Sequence, residues 1–448
     1  MSFQGVSRHV ASVSGFALSM IVLSSARAFG EEADWTQWGG PKRDFVCRAA
    51  KNLATTWPES GPERLWSREL GDGYSSILVE DGVLYTMCRR GESDAVVALD
   101  SKSGKTLWET TYEAPTRPGQ NLAFGPGPHA TPLLIGDRIF TSGATLKVNC
   151  LDKKSGKVLW THDLYDEMEG DVLMFGYGPS PTAYKDLVII TVPVRGGPPP
   201  SPDNPLPAAP EPKSFVAAFK QSDGSKVWTS EKFTRIGHPS PLVVTIGGVE
   251  QLLMQLGGEL VGMDPGTGKT LWKLTLSGDK AGFAMSTPQF GEDGVVVVSA
   301  AYGAGTWAAK VEKTASGFEA KELWFNKYLR VQHGSFVRVG DYVYGSSGDF
   351  GPALLMCVDV RTGETKWRER GFAKANCMLA DGKLIILDEN GDLAIADPSP
   401  EGLKVHCRAN ILTHQAWTVP TIIGSTMYVR DRKTIMALEL GGKGAPVG

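Results

Sequence analysis

One motif recurs along the chain and limits the fold more than any other feature. It reads apolar run, Asp, two residues, Ser or Thr, Gly, Lys or Glu, two residues, Trp. A full copy is Leu99-Asp100 with Ser103-Gly104-Lys105 and Trp108. It returns as Leu151-Asp152 with Ser155-Gly156-Lys157 and Trp160, then as Phe219-Lys220 with Asp223-Gly224 and Trp228. Further copies are Met263-Asp264 with Thr267-Gly268-Lys269 and Trp272, and Val358-Asp359 with Thr362-Gly363-Glu364 and Trp367. A degenerate copy ends in Leu323-Trp324, and one ending at Asp397 has lost its Trp. Each copy is a β-hairpin: the apolar run is a strand, Gly supplies a positive φ at the turn, and Asp or Ser/Thr bonds local backbone amides. The Trp on the return strand brings large buried area and an indole N–H able to bond a neighbouring unit.

A second hairpin precedes each of these. Thr131-Pro132 to Phe140 and Ser335-Phe336 to Tyr344 are examples, and eight such segments are readable. The motif tryptophans stand at Trp66, Trp108, Trp160, Trp228, Trp272, Trp324 and Trp367, with spacings of 42, 52, 68, 44, 52 and 43. Four strands per unit with a period near 42 describe propeller blades. The ends predict closure. Trp66 belongs to a last strand with no three before it, whereas Val419 to Leu440 holds three strands and no last one. The sequence therefore predicts an all-β, eight-bladed propeller over residues 61–440, its eighth blade shared by both ends, which removes exposed sheet edges.

The 448 residues would otherwise suggest about three domains, but 53 Gly and 12 Trp speak for many short, turn-linked strands. Residues 1–28 read as a secretory signal: Arg8, an apolar stretch over 10–26, and Ala26-Arg27-Ala28 at the cleavage pattern. Cleavage near Ala28 removes Arg8 and Arg27 and takes the net charge from −3 to −5. Residues 29–60 form an N-terminal strap, 195–214 a loop insertion with eight Pro, and 441–448 a tail. The expected location is periplasmic or secreted, with no membrane span in the mature chain and a monomeric propeller. The lack of a long basic run argues against a nucleic-acid partner. The string Gly266-Thr267-Gly268-Lys269-Thr270 lacks the spacing G-x-x-x-x-G-K-[ST] of a phosphate loop and is read as a hairpin turn.

The blade pattern resembles the pyrroloquinoline quinone (PQQ)-like eight-bladed propeller superfamily over about residues 61–440. The segment Asp34-Trp35-Thr36-Gln37-Trp38-Gly39-Gly40-Pro41-Lys42-Arg43-Asp44 is also similar to the opening of exported PQQ-like repeat proteins. Two branches of the superfamily bear on function. The quinoprotein alcohol dehydrogenase branch carries adjacent cysteines against its quinone. Here Cys47, Cys88, Cys150, Cys357, Cys377 and Cys407 include no adjacent pair. The BamB-like branch, a scaffold in outer-membrane protein assembly, fits the length better, although the lipid-anchor Cys of that branch is missing at the cleavage point. The resemblance thus implies an exported, non-catalytic scaffold that binds an envelope protein or a small ligand, with no cofactor. The alternative is a PQQ- and calcium-dependent dehydrogenase of alcohols or sugars.

Aligning the eight innermost strands on their Ser/Thr-Pro step gives candidate channel residues two positions earlier: Tyr74, His129, Gly178, His238, Met285, His333, Lys374 and Trp417. The three His fall on blades two, four and six. Neutral imidazoles at a channel mouth suit a metal or an anionic ligand. Tyr74, Lys374 and Trp417 add a phenol, a charge and a stacking face. Three insertions, at 109–128, 161–178 and 195–214, are expected on the same end, and the first two close on Phe-Gly-x-Gly-Pro (Phe124 to Pro128, Phe175 to Pro179). Cys150 and Cys357 sit where other blades carry Ala or Gly, so they are read as packing residues. Cys377 and Cys407 lie on inner and outer strands of one blade, too far apart to bridge easily. Asp349 and Asp388-Glu389-Asn390 are read as turn residues.

Overall fold

The computed structural model describes residues 1–2, 34–194, 213–234, 237–278, 284–332, 335–349 and 351–441. The export signal, most of the Pro-rich insertion, His333 and the tail beyond 441 lie outside the described residues. Eight antiparallel sheets, each with at least four strands, form the blades. Blade 1 runs from Leu78–Glu80 at the axis to Thr106–Glu113 at the rim. Blades 2 to 7 follow in chain order. Blade 8 joins Thr421–Ile423, Thr426–Arg430 and Thr434–Glu439 to the early strand Glu63–Glu69, so one sheet ties both ends together.

The expected loop limits shift at three places. Outer strands Thr106–Glu113 and Val158–Asp163 extend into the segments taken as loops from 109 and 161, and the short helix Leu164–Glu167 follows the second. Strand Lys213–Lys220 begins two residues before the expected end of the Pro-rich insertion. Ladder pairing with Leu187–Val194 claims those residues.

The motif tryptophans work as inter-blade wedges. Each stands directly across from a small residue on its own hairpin: Trp108 from Ala98, Trp160 from Cys150, Trp228 from Ala218, Trp324 from Ala308, Trp367 from Cys357, Trp66 from Ala437. The indoles of Trp66, Trp108, Trp160, Trp228 and Trp324 then lie on the turn glycine of the following blade. A Cβ added at Gly104 would come within 2.6 Å of Trp66, at Gly156 within 2.5 Å of Trp108, and at Gly268 within 2.3 Å of Trp228. The repeat glycine is thus needed twice, for its positive φ (67° at Gly104, 71° at Gly156) and for this close approach. Five indoles also donate to carbonyls of the next blade: Trp66 to Ser101, Trp108 to Lys153, Trp160 to Gln221, Trp324 to Val360 and Trp367 to Ser399, at 2.7 to 3.2 Å. The expected link to a neighbouring blade does not hold for all seven. Trp272 donates to Gln251 within its own blade at 2.7 Å, and the turn of blade 5 is carried further out on a longer hairpin. The buried Nε1 of Trp228 has no partner among the described residues.

Blade 7 shows a compensation. Its outer strand carries Cys407 where Trp would stand, and the facing small residue has become Ile395. Bulk has moved across the ladder, keeping the filled volume that close packing requires. All six cysteines are free, and all but Cys407 are fully buried in the blades or strap.

Candidate functional site

The inner ring is held by the same Ser/Thr step that aligned the strands. The Thr131 hydroxyl accepts the amide of Ser76 at 3.1 Å, Ser180 that of Thr131 at 2.9 Å, and Ser240 that of Ser180 at 2.9 Å. Asn376 plays the acceptor's part for Ser335 at 3.3 Å. The step therefore needs a short side-chain oxygen in order to clasp blade to blade at the axis, where ladder bonds cannot reach.

Below this clasp the N-terminal segment crosses the axis. Trp35 bridges Val79 of blade 1, the Thr36 carbonyl accepts Leu134 of blade 2, and the Trp38 indole donates to Thr287 of blade 5 at 2.8 Å. Arg43 donates to the carbonyls of Pro181 and Pro241 in blades 3 and 4 and to Gln37. Val46–Cys47 pairs in parallel with the inner strand of blade 7, and the Cys47 thiol meets the Ile422 carbonyl of blade 8 at 3.0 Å. Burial draws the Arg43 guanidinium down to about 9. Its hydrogen bonds to carbonyls satisfy the buried donors. Positive φ values at Arg43 and Phe45, 54° and 59°, let the segment reverse inside the channel. The segment is a plug, and it makes the channel a cavity with a floor.

That cavity, of about 220 Å³, is lined by Trp38 below and by Tyr74, His129, Gly178, His238, Met285, Lys374 and Trp417 around it. Seven of the eight aligned positions thus meet in one space, and the eighth, His333, is outside the described residues. Tyr74 stacks between His129 (centroids 5.2 Å apart, 24°) and Trp417 (5.0 Å, 30°). Both Phe-Gly-x-Gly-Pro loops deliver their Phe here: Phe124 and Phe175 meet at 5.3 Å, and Phe124 packs on Trp417 at 4.9 Å. The Tyr74 hydroxyl donates to the Phe124 carbonyl at 2.8 Å. Gly178 owes its identity to His238, since a Cβ there would lie 2.5 Å from the His238 ring nitrogen.

Burial holds both imidazoles neutral. His129 is drawn down to about 4 and His238 to about 3, the latter by burial first and the nearness of His129 second. Buried Oε1 of Gln332, on a cavity-lining residue, has no hydrogen-bond partner among the described residues. Glu389 corrects the reading of 388–390 as turn residues only. Asp388 does accept the turn amides of Asn390 and Asp392, at 3.0 and 3.1 Å. Glu389 instead accepts the Trp417 indole at 2.9 Å and stands 3.9 Å from the Lys374 ammonium, setting two cavity residues in place. Asp349 also does more than close a turn: it accepts the Gly303 amide at 2.6 Å and lies 3.3 Å from Arg330. Sequence reading also passed over Trp38, Tyr302, Gln332 and Gln415, which reach the cavity from non-repeated segments.

A quinone and calcium ion would need other donors. Calcium takes six to eight oxygens, and no group of three His, Cys, Asp or Glu suited to a metal occurs among the described residues. None of the six cysteines is among the cavity-lining residues.

The profile of the outer membrane protein assembly factor BamB family matches residues 92–369 and again 287–400. The BamB of Moranella endobia strain PCIT is 22% identical over 384 residues, which cover 83% of this chain and 78% of that protein. The quinoprotein ethanol dehydrogenase of Pseudomonas putida is 30% identical over 128 residues, 27% of this chain, so that the chain spans about a fifth (19%) of that relative's length. The structure of a quinohemoprotein alcohol dehydrogenase of Pseudomonas putida HK5 superposes with a TM-score of 0.65 at 12% identity, covering 93% of this chain and 82% of that one, a likeness of fold. With the repeat, the closed ring and a profile match across most of its length, the chain belongs to the BamB family of PQQ-like repeat propellers.

Proposed function

We propose that this chain is an exported, non-catalytic scaffold of the cell envelope that seats a projecting group of a protein partner, or a small ligand of like size, in the channel-mouth cavity. The observation that carries this reading is the floored, aromatic cavity with the unpartnered buried Oε1 of Gln332 in its lining. Buried polar groups are nearly always hydrogen-bonded, so an orphan at a cavity suits an occupant that supplies the missing bond. Relationship to BamB supports a protein partner and export. The cavity lining, which holds neither a carboxylate nor a cysteine among the described residues, supports the scaffold over the quinone-dependent dehydrogenase.

The test is capture of envelope proteins by the purified chain, beside Trp417→Ala, His129→Ala and a deletion of residues 195–214. Loss of the captured partner in the cavity variants is the expected result. Unchanged capture by all three removes the proposed face. Dye reduction with alcohols or sugars after addition of PQQ and calcium would overturn the non-catalytic reading.

A further inference from the structure

The rim strand of blade 5 differs in length from those of the other blades. Outer strands of the other blades have four to eight residues, whereas Gly317–Asn326 has ten. Blade 5 lacks the turn Asp, and its hairpin with Gly305–Thr314 runs on to a tip at Thr314 and Gly317, where Ser316-Gly317 closes the turn. The strand ends its sheet. Terminal strands present unpaired backbone N–H and C=O groups that other chains can pair with.

What this strand exposes is also unusual. Other outer strands expose a single large apolar side chain just ahead of the Trp, such as Leu65, Leu107, Leu159 or Val227. Here Leu323 (43% exposed) and Phe325 (42%) share one face, and Tyr328 (45%) follows at the strand's end. Gly305 makes room for the Phe325 ring, which lies 5.0 Å from Trp307. Phe325, Lys327, Tyr328, Thr365 and Arg368 line a cleft of about 430 Å³ between blades 5 and 6. Asn326 closes its base by donating to Gly363 and Thr365. Cations flank the Tyr328 ring, Arg368 at 4.1 Å and Lys327 at 5.2 Å. Neither is in a salt bridge among the described residues. Lys321 is exposed on the same strand beside Glu319, with Lys310 and Glu312 across the ladder from them.

We infer that the Gly317–Asn326 edge and the cleft beside it dock an extended, acidic segment of another protein. The segment would add as a strand to the free edge, place an apolar side chain in the cleft between Phe325 and Tyr328, and turn carboxylates toward Lys327 and Arg368. Strand addition draws affinity from main-chain bonds and specificity from alternate side chains. The surplus of cations selects the acidic partner. This surface lies at the rim, away from the channel mouth, so it stands or falls apart from the function proposed above.

Hydrogen exchange on the full chain tests it with two peptides of about eight residues, one alternating valine and glutamate, the other valine and lysine. The glutamate peptide should slow exchange within 317–326, and the lysine peptide should not. Tyr328→Ala should weaken the glutamate peptide about tenfold. The double variant Lys327→Glu, Arg368→Glu should reverse the preference toward lysine, an outcome that misfolding does not imitate. Equal protection by both peptides, no protection, or protection confined to the channel-mouth loops overturns the inference. So does protection of this edge that rises with protein concentration alone, since the occupant would then be a second copy.

Discussion

The outer and inner rings of this propeller sample the same eight blades and differ in kind. At the rim, seven of eight equivalent positions hold the same residue, because the Trp meets recurring local partners: a small residue across its ladder and, for five of them, a glycine on the next turn. At the axis, equivalent positions hold Tyr74, His129, Gly178, His238, Met285, Lys374 and Trp417. These residues share one space, so each is answerable to the others. Gly178 yields to His238, and Tyr74 fills the gap between His129 and Trp417. Repetition at the rim serves stability, and the departures at the axis carry the binding role proposed above.

The sharpest way to break the contrast is at the rim. Trp108→Ala should cost ~3–5 kcal/mol in urea unfolding while leaving partner capture by the surviving fold intact. Trp417→Ala should do the opposite and abolish capture with a smaller loss of stability. Glycines separate next. Gly156→Ala meets both a positive φ and Trp108, and should lose upward of ~2 kcal/mol. Gly136→Ala, with φ 57° and open space around it, should lose about 1 kcal/mol. Equal losses at the two sites would show that the Trp contact contributes nothing.

Blade 7 offers a coupling test. Cys407→Trp alone should lower the melting temperature because Ile395 occupies the facing site. Adding Ile395→Ala should recover much of the loss, and simple additivity of the two changes would refute the compensation.

The smallest effect is a pH dependence at the axis. His129 and His238 have folded pKa values below the ordinary 6.5, so the unfolded chain binds protons first as pH falls. Their contribution is full above 6.5 and is lost as pH drops toward about 4 and then about 3. Asp94 works against this. Burial raises it to about 6 despite Arg89 at 3.0 Å, so its contribution is present below the ordinary carboxylate range and is lost as pH rises through about 6. Melting temperature should therefore fall more steeply with acid in Asp94→Asn and less steeply in His129→Gln.

The blades were legible because their defining contacts recur in phase: one Trp, one small residue, one turn. Ring closure was legible for the same reason, since Trp66 lacked its three partners and Val419 to Leu440 lacked its fourth. The aligned inner positions do converge on one cavity, because the Ser/Thr clasp fixes all innermost strands at one height. What escaped reading is non-repetitive. The plug could not be read from Trp38 or Arg43, whose partners in the blades are 138 to 249 residues away and include backbone carbonyls that leave no side-chain signal. Glu389 hid inside a turn string whose neighbour Asp388 does the turn's work. Bulk exchanged between Ile395 and Cys407 looks like a defect until the ladder register pairs them.

Blade 8 carries a consequence for the order in which the chain acquires its shape. Glu63–Glu69 finds its sheet only when Thr434–Glu439 is present, and buried Arg430 reaches back to the carbonyls of Gly71 and Met87. Contacts of such sequence separation carry a heavy loop-closure cost and form slowly. The early strand and the plug must wait, unlatched, until the last sheet emerges. A chain that cannot finish its ring early stays threadable for longer, which would suit the export proposed above.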